Sequence, residues 1–176
     1  MKNILSITLL LPFLVACNPA GPADKTAELT QKLVALDKTM GGAAVTDKNA
    51  ANEFIKTSEA LATIVEKTNP DQYVDLLLKA AGLAKTVETP LKAVELYKKV
   101  AEGMPQHPKA PTALFMMGFV YENDLNDLEK AKITYETFLK QYPNDPDFAD
   151  DAQTSLKMLG KSPEEIIKEF EQKPQE

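Results

Sequence analysis

The feature that most constrains how this chain can fold is an internal repeat with a period of 38 residues. One alanine, one tyrosine and two prolines recur at that offset, in the pairs Ala93 and Ala131, Tyr97 and Tyr135, Pro105 and Pro143, and Pro108 and Pro146. A repeat of this length is typical of stacked helix pairs that share one continuous core. Since no stretch alternates between apolar and polar residues as a half-buried strand does, the sequence predicts an all-α fold.

The clearest unit of the repeat runs from Ala113 to Pro146 and predicts two helices joined by a short acidic turn. Each helix carries an apolar stripe at helical spacing, formed by Leu114, Met117, Gly118 and Tyr121 in the first and by Ala131, Tyr135, Phe138 and Leu139 in the second. Glycine inside a helix costs about 1 kcal/mol relative to alanine, so Gly118 needs a packing reason. We therefore expect the two helices to approach closely where Gly118 faces Ala131.

This order of residues resembles the tetratricopeptide repeat (TPR) at seven positions, Leu114, Gly118, Tyr121, Ala131, Tyr135, Phe138 and Pro143. The turn is about one residue longer than a unit of roughly 34 residues allows. With that turn and the ending FLKQYPNDP, the unit is similar to repeats of bacterial outer-membrane assembly lipoproteins and of periplasmic proteins that work with the Tol-Pal system. The resemblance implies antiparallel helix pairs stacked as a short right-handed solenoid, and a role in protein binding.

The first 17 residues, MKNILSITLLLPFLVAC, predict a secretory leader. Their apolar run, from Ile4 to Val15, is too short for a bilayer, which needs roughly 20 residues. The segment Leu14-Val15-Ala16-Cys17 resembles the lipobox of bacterial lipoproteins, which implies cleavage before Cys17 and lipidation of its sulfur. An ordinary signal peptide with an incidental cysteine stays open as the alternative. Asn18 follows where enteric inner-membrane lipoproteins commonly have Asp, and this resemblance points to the periplasmic face of the outer membrane.

Four segments follow from these patterns. We expect a lipoprotein signal peptide at 1–16, the lipidated Cys17 with a tether at 17–23, an N-terminal helical pair at 24–70, and TPR-like repeats with a terminal capping helix at 71–176. The prolines and the glycine of 18–23 argue against helix in the tether. Thr89 is a predicted N-cap, because Pro90 suits the first position of a helix.

Charge and composition exclude some classes of partner. The chain has a net charge of −6, and all twenty basic residues are lysine. An acidic chain without arginine or tryptophan is a poor candidate for binding nucleic acid or anionic lipid headgroups. The sequence therefore favours proteins or peptides of the cell envelope as partners, with the membrane reached through the lipid on Cys17.

The sequence offers no catalytic, cofactor-binding or metal-binding set, so we expect a protein that is not an enzyme. His107 lies in a turn between two prolines and is predicted to be solvated. Two acidic clusters lack the spacing of a calcium-binding loop. We expect the residues of both clusters to cap helix starts. The first cluster comprises Glu122, Asp124, Asp127 and Glu129, and the second comprises Asp145, Asp147, Asp150 and Asp151.

The resemblance also implies a concave face lined by the first helix of each pair. Carried over to this chain, that face would hold Leu77, Ala81, Ala84, Phe115 and Phe119, with Glu122, Gln153 and Lys157 as a polar edge. Two phenylalanines one turn apart could anchor a partner peptide. The alternative, that Phe115 and Phe119 are core residues, stays open.

The sequence thus predicts a lipid-anchored periplasmic adaptor or assembly component. Two other roles stay open: a self-associating envelope scaffold, and a binder of a small apolar ligand in the helical groove.

Overall fold

The structure, a computed structural model, describes residues 21–40 and 47–171, and these residues contain helices and connecting turns but no strand. The described helices are α1 (Pro22–Thr39), α2 (Lys48–Val65), α3 (Pro70–Thr86), α4 (Pro90–Gly103), α5 (Ala110–Asn123), α6 (Leu128–Gln141), α7 (Ala149–Met158) and α8 (Pro163–Glu171). Each helix from α1 to α6 packs against the helix that follows it. This arrangement confirms the predicted all-α stack of helix pairs, a TPR-like solenoid.

The period of 38 residues is visible in the backbone. The helices α4 and α6 are both 14 residues long. The first residue of α6 lies 38 positions after the first residue of α4, and their last residues have the same separation. The residues that end them, Met104 and Tyr142, have φ/ψ angles of −131°/52° and −131°/55°. The Tyr142 hydroxyl donates a hydrogen bond of 3.0 Å to the carbonyl of Pro105, so successive units are also linked through these turns.

Several helix boundaries follow from the side chains at the turns. Asn69 ends the preceding turn and caps α3, because its Oδ1 accepts from the backbone N–H of Gln72 at 3.1 Å. Ser162 and Glu165 form a capping box before α8: the N–H of Glu165 donates to the Ser162 hydroxyl, and the N–H of Ser162 donates to the Glu165 carboxylate.

One predicted boundary is wrong, and one predicted N-cap residue makes no capping hydrogen bond. Helix α1 begins at Pro22, so the last two residues of the predicted tether are helical. Proline is tolerated at the first helical position, where its missing N–H would have no partner. Thr89 is the N-cap residue of α4 as predicted, but its hydroxyl donates to the carbonyl of Ala84 at 2.8 Å and makes no capping hydrogen bond.

The core of the central unit is built around Tyr135, which is fully buried together with Ala131 and Phe138. The expected close contact at Gly118 is present, but its partner is the Tyr135 ring rather than Ala131. A Cβ atom placed on Gly118 would lie 2.7 Å from Cε1 of Tyr135. Glycine is therefore required because an aromatic ring rests on the backbone of α5.

The predicted leader, the lipobox with Cys17 and most of the tether lie outside the described residues, as do residues 41–46. Among the helices of the described part, none combines the length and the apolar composition that crossing a membrane requires.

Replacing Gly118 with alanine tests this packing. The added methyl group would overlap the Tyr135 ring, and overpacking of this kind typically costs about 1–3 kcal/mol. Gly82→Ala is the matched control, because a Cβ there meets nothing within 4 Å. We expect that control to raise the free energy of unfolding by roughly 0.5–1 kcal/mol through helix propensity. Urea unfolding followed by circular dichroism measures both, and equal effects of the two substitutions would contradict the proposed contact.

Candidate functional site

Four of the eight residues predicted to line a groove are in the core. Leu77, Ala81 and Ala84 are 1%, 0% and 0% exposed, and Phe115 is 7% exposed. Residues this buried contact other parts of the same chain, so they do not form an open surface for a partner. For these four positions the predicted groove is wrong, and for Phe115 the alternative of a core role holds.

The burial of Phe115 comes from the aromatic residues that follow it in the chain. Its ring stacks on Phe148 with centroids 4.6 Å apart and an angle of 19° between the planes. Tyr135 and Phe138 lie at 5.7 and 6.0 Å from the same ring. Phe148 belongs to the turn before α7, where no helical periodicity could place it. The aromatic cluster therefore seals the contact between the central unit and α7.

The other four predicted residues are accessible. Phe119 is partly exposed, and the Lys85 ammonium lies 4.3 Å from its ring centroid. Glu122 is also partly exposed, whereas Gln153 and Lys157 are exposed. A role for these four residues in partner binding stays a prediction.

Glu122 also has a structural function. Its carboxylate accepts a hydrogen bond of 2.8 Å from the Tyr135 hydroxyl. Burial, reinforced by this carboxylate, raises the pKa of Tyr135 well above its usual value. The hydroxyl therefore stays protonated and remains a donor to Glu122.

An open apolar groove with a volume of about 640 Å³ lies elsewhere, between α1 and α3. Its apolar lining comes from Leu33, Val34, Phe54 and Leu76, and its polar lining from Asp37, Asn69, Asp71, Gln72, Asp75 and Lys79. We call this surface the α1–α3 groove. The sequence reasoning missed it because it looked for the groove in the clearer, later repeats. One signal was available: Leu29, Leu33 and Leu36 form the apolar stripe of α1, and Val34 lies outside it with 66% of its surface exposed.

A lysine occupies part of this groove. The Lys79 ammonium is 2.8 Å from the Asp37 carboxylate and 4.9 Å from the centroid of the Phe54 ring. An aromatic face and a carboxylate are both favourable neighbours for a cation. The groove thus already contains a site of the kind that binds a basic side chain.

His107 connects the rim of the groove to the turn before α5. Its Nδ1 accepts from the N–H of Lys109 at 3.1 Å, so the ring proton lies on Nε2, which donates to Asp71 at 3.0 Å. One repeat later, Asp145 accepts from the N–H of Asp147 at the same distance. The prediction of a solvated residue is wrong, because the His107 side chain is only 11% exposed and holds the turn.

The acidic clusters include residues that cap helices and turns. Asp127 accepts from the N–H of Lys130 at 3.1 Å, and Asp145 accepts from the N–H of Phe148 at 2.8 Å. The first contact confirms the expected helix cap at Asp127, whereas the second holds the turn before α7, a helix that has no side-chain cap. Over the ranges that the structure describes, His, Cys, Asp and Glu side chains form no group of three or more that could hold a metal ion.

A family comparison supports the resemblance in the central unit. Residues 112–145 match the family model of the tetratricopeptide repeat. The chain therefore contains this repeat, and repeats of this kind generally mediate binding to protein partners. No curated protein matches the chain significantly.

Substitutions of His107 test its structural role. His107→Ala removes two hydrogen bonds, each worth about 0.5–1.5 kcal/mol, and should lower the free energy of unfolding by roughly 1–2 kcal/mol. His107→Asn keeps a side-chain acceptor for the N–H of Lys109, in the way that Asp145 serves Asp147, and should recover about half of that loss. Chemical denaturation of the three proteins decides the point. A stability unchanged by His107→Ala would mean that the turn does not need this ring.

Proposed function

We propose that this protein is a lipid-anchored adaptor or assembly component of the bacterial envelope, which binds other proteins at the periplasmic face of the outer membrane. The observation that carries the binding role is the helical stack itself. It contains a tetratricopeptide repeat and leaves the α1–α3 groove open on one side. An apolar groove with a polar rim and an exposed Val34 in its lining suits a surface that a partner covers.

The groove is better suited to a peptide or helix than to chemistry. Its carboxylates are exposed and paired with lysines or with the imidazole of His107, whereas general acid–base catalysis needs a titratable group held in a shielded site. Proteins built from TPR units are generally non-catalytic scaffolds. We therefore assign the chain a binding role without an enzymatic step.

The anchoring part of the proposal rests on the sequence Leu14-Val15-Ala16-Cys17 and its resemblance to a lipobox. Acyl chains attached at Cys17 would supply membrane affinity that does not depend on charge, since each buried CH₂ adds about 0.8 kcal/mol. The acidic helical part would then remain in the aqueous phase beside the membrane. Such a position suits a protein that gathers envelope proteins.

Cys17→Ser tests the anchor. We expect the wild-type protein to sediment with outer membranes at high salt and the Cys17→Ser variant to appear in the soluble periplasmic fraction. High salt matters because it screens adsorption through charge and leaves lipid anchoring intact. The helix content of both proteins, measured by circular dichroism, should be the same. Membrane association of the variant at high salt would contradict lipid anchoring.

Val34→Lys tests docking on the α1–α3 groove. Leu91→Lys is the matched control, because Leu91 is an exposed apolar helical residue that lies outside the groove lining. After cross-linking in intact cells, we expect specific envelope proteins to copurify with the wild type and with Leu91→Lys, and to be depleted at least about tenfold with Val34→Lys. Loss of one central apolar contact can have this effect on binding.

The other outcomes of this experiment are also informative. Equal recovery of partners with both variants would contradict docking on this groove. Recovery of only the protein's own chain would favour a self-associating scaffold, and recovery of no protein at all would contradict the adaptor role.

A further inference from the structure

We propose that the α1–α3 groove binds a peptide segment in which lysine or arginine residues alternate with apolar side chains. This inference rests on the proposed function and specifies the chemistry of the partner. The groove combines an apolar floor, a cation site and an acidic rim, and each of these parts points to one property of the ligand.

The apolar floor of the groove is the reason to expect apolar side chains in the ligand. Phe54 and Leu33 are 3% and 7% exposed and belong to the core, whereas Leu76 is partly exposed and Val34 projects from α1 with 66% of its surface accessible. Covering Val34 and Leu76 with an apolar side chain of a partner removes their surface from water. A purely ionic ligand would leave this apolar surface exposed.

The position of Lys79 is the reason to expect basic side chains in the ligand. Its ammonium lies between the Asp37 carboxylate and the Phe54 ring, and the Lys79 and Asp37 side chains are 53% and 52% exposed. An exposed ion pair contributes little to stability, and a lysine stem has many alternative rotamers. Lys79 can therefore swing into solvent while a cation of the partner takes its place. The present position of the Lys79 ammonium shows that this site favours a cationic group.

The acidic rim offers a second position for a cation of the ligand, beside the position that Lys79 occupies. Asp71, Asp75 and Asp37 are opposed by two cations of the chain, Lys79 and Lys109, which leaves one net negative charge. The third contact of these carboxylates is the His107 ring, which carries no formal charge in the tautomer that accepts the N–H of Lys109. Asp71 is 88% exposed and stays available to a partner.

The separation of the two cation sites limits the spacing in the ligand. Asp71 and Lys79 are eight residues apart on α3, which corresponds to about 12 Å along the helix axis. An extended peptide covers that distance in about four residues, and a helical peptide covers it in about eight. Ligands with basic residues at these intervals can therefore reach both Asp71 and the Asp37–Phe54 site.

The test uses a fluorescent 18-residue peptide of lysine and leucine, arranged with the leucines on one helical face. Two matched peptides replace every lysine with glutamate or every leucine with serine. Binding to the full-length protein in detergent is followed by fluorescence anisotropy. We expect the lysine–leucine peptide to bind at least about tenfold more tightly than either matched peptide, and its affinity to fall as salt is added.

Variants of the protein separate groove binding from general attraction to an acidic surface. The double variant Asp71→Asn with Asp75→Asn should weaken binding about fivefold, and Val34→Ser should weaken it by a similar factor. The controls are Glu102→Gln with Glu136→Gln, which changes the net charge equally, and Leu91→Ser; both should stay within about twofold of wild type. Lys79→Met should strengthen binding several-fold because it vacates the cation site, an effect that unfolding cannot imitate.

Three results would overturn the inference: equal weakening by groove and control variants, equal binding of the glutamate peptide, or unchanged binding with Lys79→Met and the groove variants. If the peptide test fails while Val34→Lys still loses its cellular partners, the groove docks a partner of different chemistry and only this inference falls. If both fail, docking on this groove falls as well.

Discussion

The contact between the Tyr135 ring and the backbone of Gly118 is the constraint on which the central part of the structure depends. It fixes the separation of α5 and α6, because no other residue at position 118 leaves room for the ring. The same tyrosine donates its hydroxyl proton to Glu122 and lies beside Phe115. The hydrogen bond to Glu122 offsets the free-energy cost of removing the Tyr135 hydroxyl from water, so the side chain can be buried completely.

From this contact an aromatic cluster extends toward the C-terminal end of the stack. Phe115 lies between Tyr135 and Phe148, and Phe148 precedes α7. The interlocked rings explain why Phe115, predicted to face a partner, is part of the core. The docking surface that we propose lies at the N-terminal end, where the α1–α3 groove has no comparable aromatic cover.

The helices α2, α4 and α6, which are the second helices of successive pairs, differ in how they contact one another. Between α2 and α4, the Glu59 carboxylate receives Lys92 at 2.7 Å and Lys99 at 3.1 Å, and these contacts bridge the two helices. Between α4 and α6, Ile133 remains 56% exposed beside a smaller cavity of about 410 Å³. Ionic bridges thus link α2 to α4, whereas an exposed apolar side chain lies at the junction of α4 and α6, so the surfaces of the stack differ although its backbone repeats.

The sequence predicts the repeating backbone well because apolar periodicity and turn residues act locally. The 38-residue spacing of Tyr97 and Tyr135 placed α4 and α6 correctly, and the alanines and prolines recur with them. Burial of Phe115 depends on a loop residue 33 positions later in the chain, which no helical pattern reveals. The α1–α3 groove was missed because its shape depends on how three helices pack, although the exposed Val34 was visible as an apolar residue off the stripe.

The central claim is that partners dock on the α1–α3 groove of an otherwise structural stack. Site-specific photo-cross-linking in living cells tests it most directly, with a photoreactive amino acid placed at Val34 and, as a control, at Leu91. The account predicts discrete cross-linked products with other envelope proteins from position 34 and none of these from position 91. Cross-links of equal pattern and yield from both positions, or from position 91 alone, would contradict it.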